Sequence, residues 1–599
     1  MARSKRRLPI KHHGQTRSEK ISTFTDATIE GMVQQHSDGA TFCATLVDEW
    51  IALGLKHAVV SPGSRSTPLA VALAGRYEID VHVFHDERSA AFCALGIGVA
   101  TGIPAVVLCT SGTAATHFHA AVVEAGLSLV PMIVCTADRP PELHGVGAPQ
   151  TIDQQELYGS AVRDFINVEP QSSADAPSWR GIAQTAWSTS LASHNPGPVH
   201  LNLGFREPLV GTAGELPPRG EVGSRQDVRV HLDSSIGPLL KSARGVVVAG
   251  EGIADFDVAS EWLGRLGWPI IADPRSGLRV LDDRLPHAPI ISAADPILRS
   301  SVLQDRLRPD VILRLGEPPV SKVVNAWLAQ SKATYIAVSR RPVVTDPDRV
   351  VTHSVAGPIE ATLAAIGEVV GCPDEQWLAS WVAAETIART VIDESMSGAA
   401  LHEAKVAHLL VDQLGDDTAF VVSSSMPVRD VEWFGGRRND LRVLSNRGAN
   451  GIDGVIATSI GVALGSREPV SVLIGDVALV HDSSSLVNIV DHAVDLHIVL
   501  IDNRGGGIFS FLPQAEALEN DQFEKLFGTP HSTDFAALCK AHGIEYHEVD
   551  SEERLIEVSL RDGVRLSHVR TDRAQNVEIH RQLNDAVVSA LEAAFSTGG

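Results

Sequence analysis

Asp476 and Asn503 are the residues of this chain best placed to do chemistry. Asp476 closes the strand-like run Val470-Ser471-Val472-Leu473-Ile474-Gly475, and Asn503 closes a second run, 496–502. Parallel strands would bring this carboxylate and amide oxygen to one sheet edge, the edge at which α/β proteins bind ligands. Two hard oxygen donors suit Mg2+, which usually keeps phosphate oxygens among its remaining ligands. The pattern therefore predicts a metal-bound diphosphate.

Arginines recur on Gly- or Ser-rich turns: Arg65 beside Ser64, Arg139 in Ala137-Asp138-Arg139-Pro140, Arg429 four residues after Ser425, and Arg447 in Ser445-Asn446-Arg447-Gly448. Each alone is an ordinary surface ion-pair partner, but several converging on one pocket would select a substrate with more than one carboxylate. Glu87 opens a small-residue helix running to Gly102, where a carboxylate either complements the helix dipole or lies buried for catalysis. His117 and His119 stand two apart on a helix, point to different sides and are assigned no role. Gly250-Glu251-Gly252 lacks the third glycine of a dinucleotide fingerprint, and Gly505-Gly506-Gly507 follows the metal candidate instead of opening a helix.

The elements that must hold these residues alternate between strand and helix from Ala40 onward. An amphipathic helix at 41–53 precedes strands at 57–60, 105–109, 131–135 and 197–203, and a Gly- and Pro-containing stretch follows at 211–224. A buried run at 245–252 enters a glycine turn, and another follows at 311–316; strands at 419–422, 442–444, 470–474 and 497–501 come after 401. The expected architecture is α/β, three tandem doubly wound units at 38–212, 225–370 and 385–599, behind a basic, disordered tail at 1–37 without the apolar core of a secretory signal. A chain of 599 residues has room for three or more cores. Its 73 acidic against 50 basic residues, a formal charge of -23, argue against nucleic-acid binding. A mean hydropathy of +0.06 and the lack of a long apolar run argue against membrane insertion. Six scattered cysteines encode neither a zinc site nor a disulfide framework, which fits a cytoplasmic protein.

The Gly475-Asp476 to Asn503 segment resembles the diphosphate and metal motif of thiamine-diphosphate enzymes, and the three units resemble their pyrimidine, central and pyrophosphate domains. Ser61-Pro-Gly-Ser-Arg-Ser-Thr-Pro68, Ala137-Asp-Arg-Pro-Pro-Glu-Leu143, Ser445-Asn-Arg-Gly-Ala-Asn-Gly-Ile-Asp-Gly454 and Gly506-Gly-Ile-Phe509 resemble a family of menaquinone-pathway synthases that join 2-oxoglutarate to isochorismate. The match covers about 40–599 and is thinnest in the middle.

That resemblance implies thiamine diphosphate with Mg2+, or Mn2+ in its place, as cofactors, and a homodimer or homotetramer with sites between subunits. It makes Glu87 the partner of the cofactor's aminopyrimidine. Asp476, Asn503 and the Gly505 carbonyl become metal ligands, Gly475, Val477 and Ala478 meet the diphosphate, and Ile452 is the wedge that bends the cofactor. Ser425 and Arg429 take the 2-oxoglutarate-derived unit; Ser64, Arg65, Arg139, Gln150, Lys322 and Arg447 form the surrounding polar pocket, and Ile508, Phe509 and Leu512 its apolar wall. Val477 replaces the second glycine of the broader thiamine-diphosphate motif, a change shared within the resembled subfamily, and the chain departs from the expected pattern at Arg504 and Val323. The alternative is another thiamine-diphosphate decarboxylase or carboligase, such as an acetohydroxyacid synthase, which would share Glu87, Asp476 and Asn503.

Overall fold

The computed structural model describes residues 36–220, 230–487 and 489–596. Most of the expected basic tail lies outside these residues. His36 forms a parallel bridge with Thr212, and the Ser37 hydroxyl accepts the Ala40 N–H to cap the helix Asp38–Leu53.

Among the described residues eighteen strands form three six-stranded sheets, every pairing parallel. The first contains β1 (His57–Val60), β2 (Asp80–Val83), β3 (Ala105–Cys109), β4 (Met132–Asp138), β5 (Asp164–Val168) and β6 (Pro198–Gly204), in the order β2-β1-β3-β4-β6-β5. The second contains β7 (Gly245–Ala249), β8 (Ile270–Ala272), β9 (Ile290–Ile291), β10 (Val311–Leu315), β11 (Thr334–Ser339) and β12 (His353–Ala356), ordered β12-β11-β10-β7-β8-β9. The third contains β13 (Ala419–Val422), β14 (Arg442–Leu444), β15 (Val470–Gly475), β16 (Leu496–Asp502), β17 (Glu545–Glu548) and β18 (Val564–Arg570), ordered β14-β13-β15-β16-β18-β17. Inner strands such as β3, β7 and β16 are buried along their whole length, as parallel strands covered by helices on both faces must be, and that is why β3 and β7 read as unbroken apolar runs.

The first and third sheets share one core. Phe92, Cys93 and Ile97 of the helix Glu87–Thr101 pack in the same cluster as Ile456 and Ile460 of the helix Val455–Ser466 and Val472 and Ile474 of β15. Glycines let the two helix backbones touch: a Cβ on Gly96 would lie 2.1 Å from the Thr458 carbonyl oxygen, and one on Gly461 2.0 Å from that of Cys93. The second sheet joins the third through Trp377 and Trp381 on the long helix Glu375–Met396, which pack with Leu583, Val587 and Leu591 of the C-terminal helix Arg573–Ser596. The Gly250-Glu251-Gly252 turn serves packing, since a Cβ on Gly250 would meet the Glu317 carbonyl at 1.7 Å.

A polar clamp also ties the second sheet to the third. Glu432, on the helix Met426–Phe434, accepts the Ser321 N–H at 2.9 Å, and the Ser321 hydroxyl reaches the buried Asp295. Burial, helped by the charges of Asp273 and Asp295, pushes the Glu432 carboxyl up to about 8. The folded chain therefore keeps a proton here that the unfolded chain releases above the usual carboxylate range.

Two outcomes follow for stability. Gly461→Ala drives a methyl into the Cys93 backbone and should cost on the order of 1–3 kcal/mol, read as a lower denaturation midpoint. Because the Glu432 pKa is raised, its contribution is complete below about pH 4.5 and lost as pH climbs through about 8. Wild type should lose up to about 1.4 kcal/mol per pH unit relative to Glu432→Gln between pH 6 and 8, seen as converging or crossing thermal melts; parallel melting curves would refute the protonated carboxyl.

Candidate active site

Asp476 begins the helix Asp476–His481 directly after β15, at the place where the third sheet's strand order reverses between β13 and β15. Its side chain is buried. Oδ1 accepts the Val477 N–H at 2.7 Å and Oδ2 the Gly505 N–H at 2.8 Å. Burial raises its pKa while the two amides oppose that rise. His531 Nε2 stands 3.2 Å from Oδ2, so Asp476, Asp502 and His531 bring ligand-type atoms within 4.8 Å of one another. His531 lies 55 residues beyond Asp476 on a loop, and sequence spacing gave no sign of it.

Asn503 follows β16 and donates its Nδ2 hydrogen to Glu403 Oε1 at 3.0 Å, while its Oδ1 is buried without a partner. An orphaned buried acceptor costs about 1–3 kcal/mol, and a divalent cation would satisfy it. Gly505 has φ 144°, and a Cβ there would lie 1.9 Å from the Gly528 carbonyl oxygen, so only glycine fits. Its carbonyl accepts the Gly507 N–H at 2.9 Å and keeps a second lone pair. Asp476, Asn503 and Gly505 thus fit a Mg2+ ion. Arg504 holds φ 57°, a region asparagine enters more easily, and its N–H binds Asp502 Oδ1 at 3.1 Å.

These groups open into a cavity of about 460 Å³ at the carboxyl ends of β13, β15 and β16. Its walls include Glu403, Ser425, Arg429, Arg447, Ile452, Gly475, Val477, Ala478, Ile508 and Phe509. Ser425 has φ 76°, strained for a side chain larger than glycine, and its carbonyl accepts from Arg429 Nη1. Arg447 Nη1 lies 3.4 Å from the Ser424 hydroxyl. Burial, with Arg275 and Arg429 nearby, pulls the Arg447 guanidinium down to about 10, and burial lowers Arg429 as well. Partly buried cations that repel one another favour a bound anion.

Other sequence-predicted residues lie elsewhere. At the carboxyl edge of the first sheet Arg65 donates to the Phe205 carbonyl at 2.9 Å and pairs with Glu207 at 3.2 Å, and the neighbouring Arg139 donates to the Pro149 carbonyl at 3.1 Å. Gln150 and Ser111 exchange two hydrogen bonds of 3.0 Å, and Ser64 is exposed on the turn after β1. Glu87 occupies the first turn of its helix, capped by Asp86, and its charge acts on buried Cys109. Lys322 is exposed at the start of the helix Lys322–Gln330. Val323 beside it packs against the core under the second sheet, a position poorly suited to a basic side chain. Leu512 lines a separate cavity with Trp433 and His580. His117 ends one short helix and His119 starts the next.

Glu403, absent from the sequence reading, is buried in the first turn of the helix Glu403–Gln413, and desolvation with the charge of Asp430 pushes its carboxyl up to about 7.

Family models agree with this geometry in all three units. The N-terminal TPP binding domain of thiamine pyrophosphate enzymes matches residues 41–157, the middle domain of thiamine pyrophosphate matches 228–422, and the C-terminal TPP binding domain matches 434–564. Fold and site therefore define a thiamine-diphosphate enzyme. An X-ray structure of a Mycobacterium smegmatis protein shares the fold with a TM-score of 0.66 at 17% identity, over 89% of this chain and 99% of that one. The chain is 37% identical to the 2-succinyl-5-enolpyruvyl-6-hydroxy-3-cyclohexene-1-carboxylate synthase of Lysinibacillus sphaericus, covering 92% of this chain and 98% of the relative. Synthases of the same name from Chloroflexus aurantiacus and Thermobifida fusca are each 38% identical, over 94% and 91% of this chain and 99% and 98% of theirs. The chain belongs to this family of 2-succinyl-5-enolpyruvyl-6-hydroxy-3-cyclohexene-1-carboxylate synthases.

Asp476→Asn should weaken Mg2+-dependent thiamine diphosphate binding by about 100-fold or more, because it removes a buried carboxylate from the residues that fit the metal. Calorimetric titration of the apoprotein with thiamine diphosphate at fixed Mg2+ checks this.

Proposed function

We propose that this chain decarboxylates 2-oxoglutarate and adds the remaining succinyl-semialdehyde unit in conjugate fashion to isochorismate, releasing CO2 and 2-succinyl-5-enolpyruvyl-6-hydroxy-3-cyclohexene-1-carboxylate for menaquinone biosynthesis. One observation carries the reading: a single cavity joins an edge fitted to a metal-held diphosphate with two arginines that repel each other. Bound thiamine diphosphate supplies the nucleophilic carbon and the electron sink that decarboxylation of a 2-oxo acid requires.

The chain's own residues do the rest. Asp476, Asn503 and Gly505 hold Mg2+, or Mn2+, with Gly475, Val477 and Ala478 against the diphosphate; the Val477 N–H already turns to Asp476 Oδ1. Arg429 and Ser425 orient the donor carboxylates, Arg447 faces the acceptor, and Ile508 and Phe509 exclude water from the reacting carbon while Ile452 supports the cofactor. Glu87, Ser64, Arg65, Arg139 and Gln150 are on the first unit, away from the cavity walls. This separation supports a homodimer, or a tetramer built from dimers, in which the first unit of one copy closes the cavity of another. Lys322 would approach the acceptor from the second unit, and Leu512 would join the apolar wall only in the closed assembly. Among the described residues no helix is long and apolar enough to cross a membrane, which accords with work on small soluble acids in the cytoplasm.

In the presence of Mg2+ and thiamine diphosphate, purified protein should release CO2 from 2-oxoglutarate in an isochorismate-dependent manner. Glu87→Gln should reduce that rate by about 10²–10⁴-fold while binding the cofactor within a few-fold of wild type. Turnover of pyruvate in place of 2-oxoglutarate would move the chain to another carboligase class.

A further inference from the structure

A carboxamide has two ends of nearly equal size and opposite hydrogen-bonding character. If Asn503 turned over, an N–H would face the metal position where an oxygen is needed. Something must hold the nitrogen end away from the cavity. We propose that Glu403 is this positioning residue: it fixes the Asn503 amide so that Oδ1 faces the metal, an inference that rests on the metal-site reading above.

The contacts form a closed circuit. Glu403 Oε1 accepts the Asn503 Nδ2 hydrogen at 3.0 Å and the Thr571 Oγ1 hydrogen at 3.0 Å. The Thr571 N–H in turn donates to the carbonyl of Asp502, the residue before Asn503, at 2.9 Å. With two donors aimed at it, Oε1 is an acceptor in either protonation state of the carboxyl, so only the nitrogen end of Asn503 satisfies it. The opposite end, Oδ1, is left buried with no protein partner. Glycine at 507 leaves room for the amide group, since a Cβ there would lie 2.5 Å from Asn503 Nδ2; choosing which end faces Glu403 is left to the hydrogen bonds. Glu403 comes from the start of the third unit and Thr571 directly follows β18, so the circuit ties three distant segments to one ligand.

Mg2+ affinity, titrated calorimetrically into folded apoprotein at saturating thiamine diphosphate without substrate, tests the proposal. Glu403→Gln retains an acceptor for both donors and should bind Mg2+ within about threefold of wild type. Glu403→Leu should bind at least about tenfold more weakly, the scale expected when a group that orients a metal ligand is lost. Thr571→Val should fall between them, and it carries the test if Glu403→Leu does not fold, as judged by circular dichroism without metal. Wild-type affinity in Glu403→Leu, or in Thr571→Val when that variant stands in, would overturn the proposal, as would equal weakening in Glu403→Gln and Glu403→Leu. Absence of Mg2+ binding by wild type would overturn the metal-site reading as well.

Discussion

The contact between two helix backbones at Gly96 and Gly461 sets the geometry on which the rest of the molecule depends. Parallel α/β units do not by themselves fix how they stack; here the helix Glu87–Thr101 and the helix Val455–Ser466 approach too closely for any Cβ at the crossing. Once they touch, polar groups lock the register. Arg88 donates to the His481 carbonyl at 3.0 Å, Ser89 and Ser485 share a hydrogen bond of 2.8 Å, and buried Asp482 accepts the N–H groups of Ile456 and Ala457 at 2.8 and 3.2 Å. Asp482 thereby serves as an N-cap supplied from outside the helix, satisfying donors that Gly454 cannot. The helix that Glu87 opens and the helix that follows Ile452 are fixed to each other by the same contact.

Charge is distributed across the site in a consistent way. Asp476 and Asn503 offer oxygens and Arg429 and Arg447 offer guanidinium groups to one cavity, and burial weakens the charged form of Asp476 and of both arginines. Each set of groups is costly alone and would be relieved by a ligand of opposite sign. The strained backbone at Ser425 belongs to the same trade, since it turns the start of the helix Met426–Phe434 toward the cavity and brings Arg429 over its carbonyl.

Much of this was legible in the sequence because strand ends are local signals. The runs before Asp476 and Asn503 are largely apolar, with Ser471 and His497 as polar interruptions, so their last residues had to emerge at a sheet edge; the structure puts both there, with Gly505 against Asp476. Ser425, Arg429, Arg447 and Ile452 reach the same cavity because β13 ends beside β15, with β14 on its other side, in the order a doubly wound sheet dictates. Long-range partners were not legible. Glu403 meets Asn503 across 100 residues and His531 meets Asp476 across a loop, and neither position has a period or motif that singles it out. Leu512 follows a short 3-10 turn at Gly507–Phe511, which sends it into the neighbouring cavity beside Trp433.

Among the described residues the second sheet makes no strand-end contribution to the cavity walls, yet it constrains them. Arg279 donates to the carbonyls of Val431, Glu432 and Gly435, capping the C-terminal end of the helix Met426–Phe434, and Glu432 on that helix accepts from Ser321. That helix carries Arg429 near its start, and Ser321 caps the helix that begins with Lys322. Movement of the second unit relative to the third would therefore break a satisfied helix end and a buried carboxyl contact together. A cationic side chain from the second unit and one from the third are consequently held in fixed relation, although no covalent segment shorter than about a hundred residues connects them.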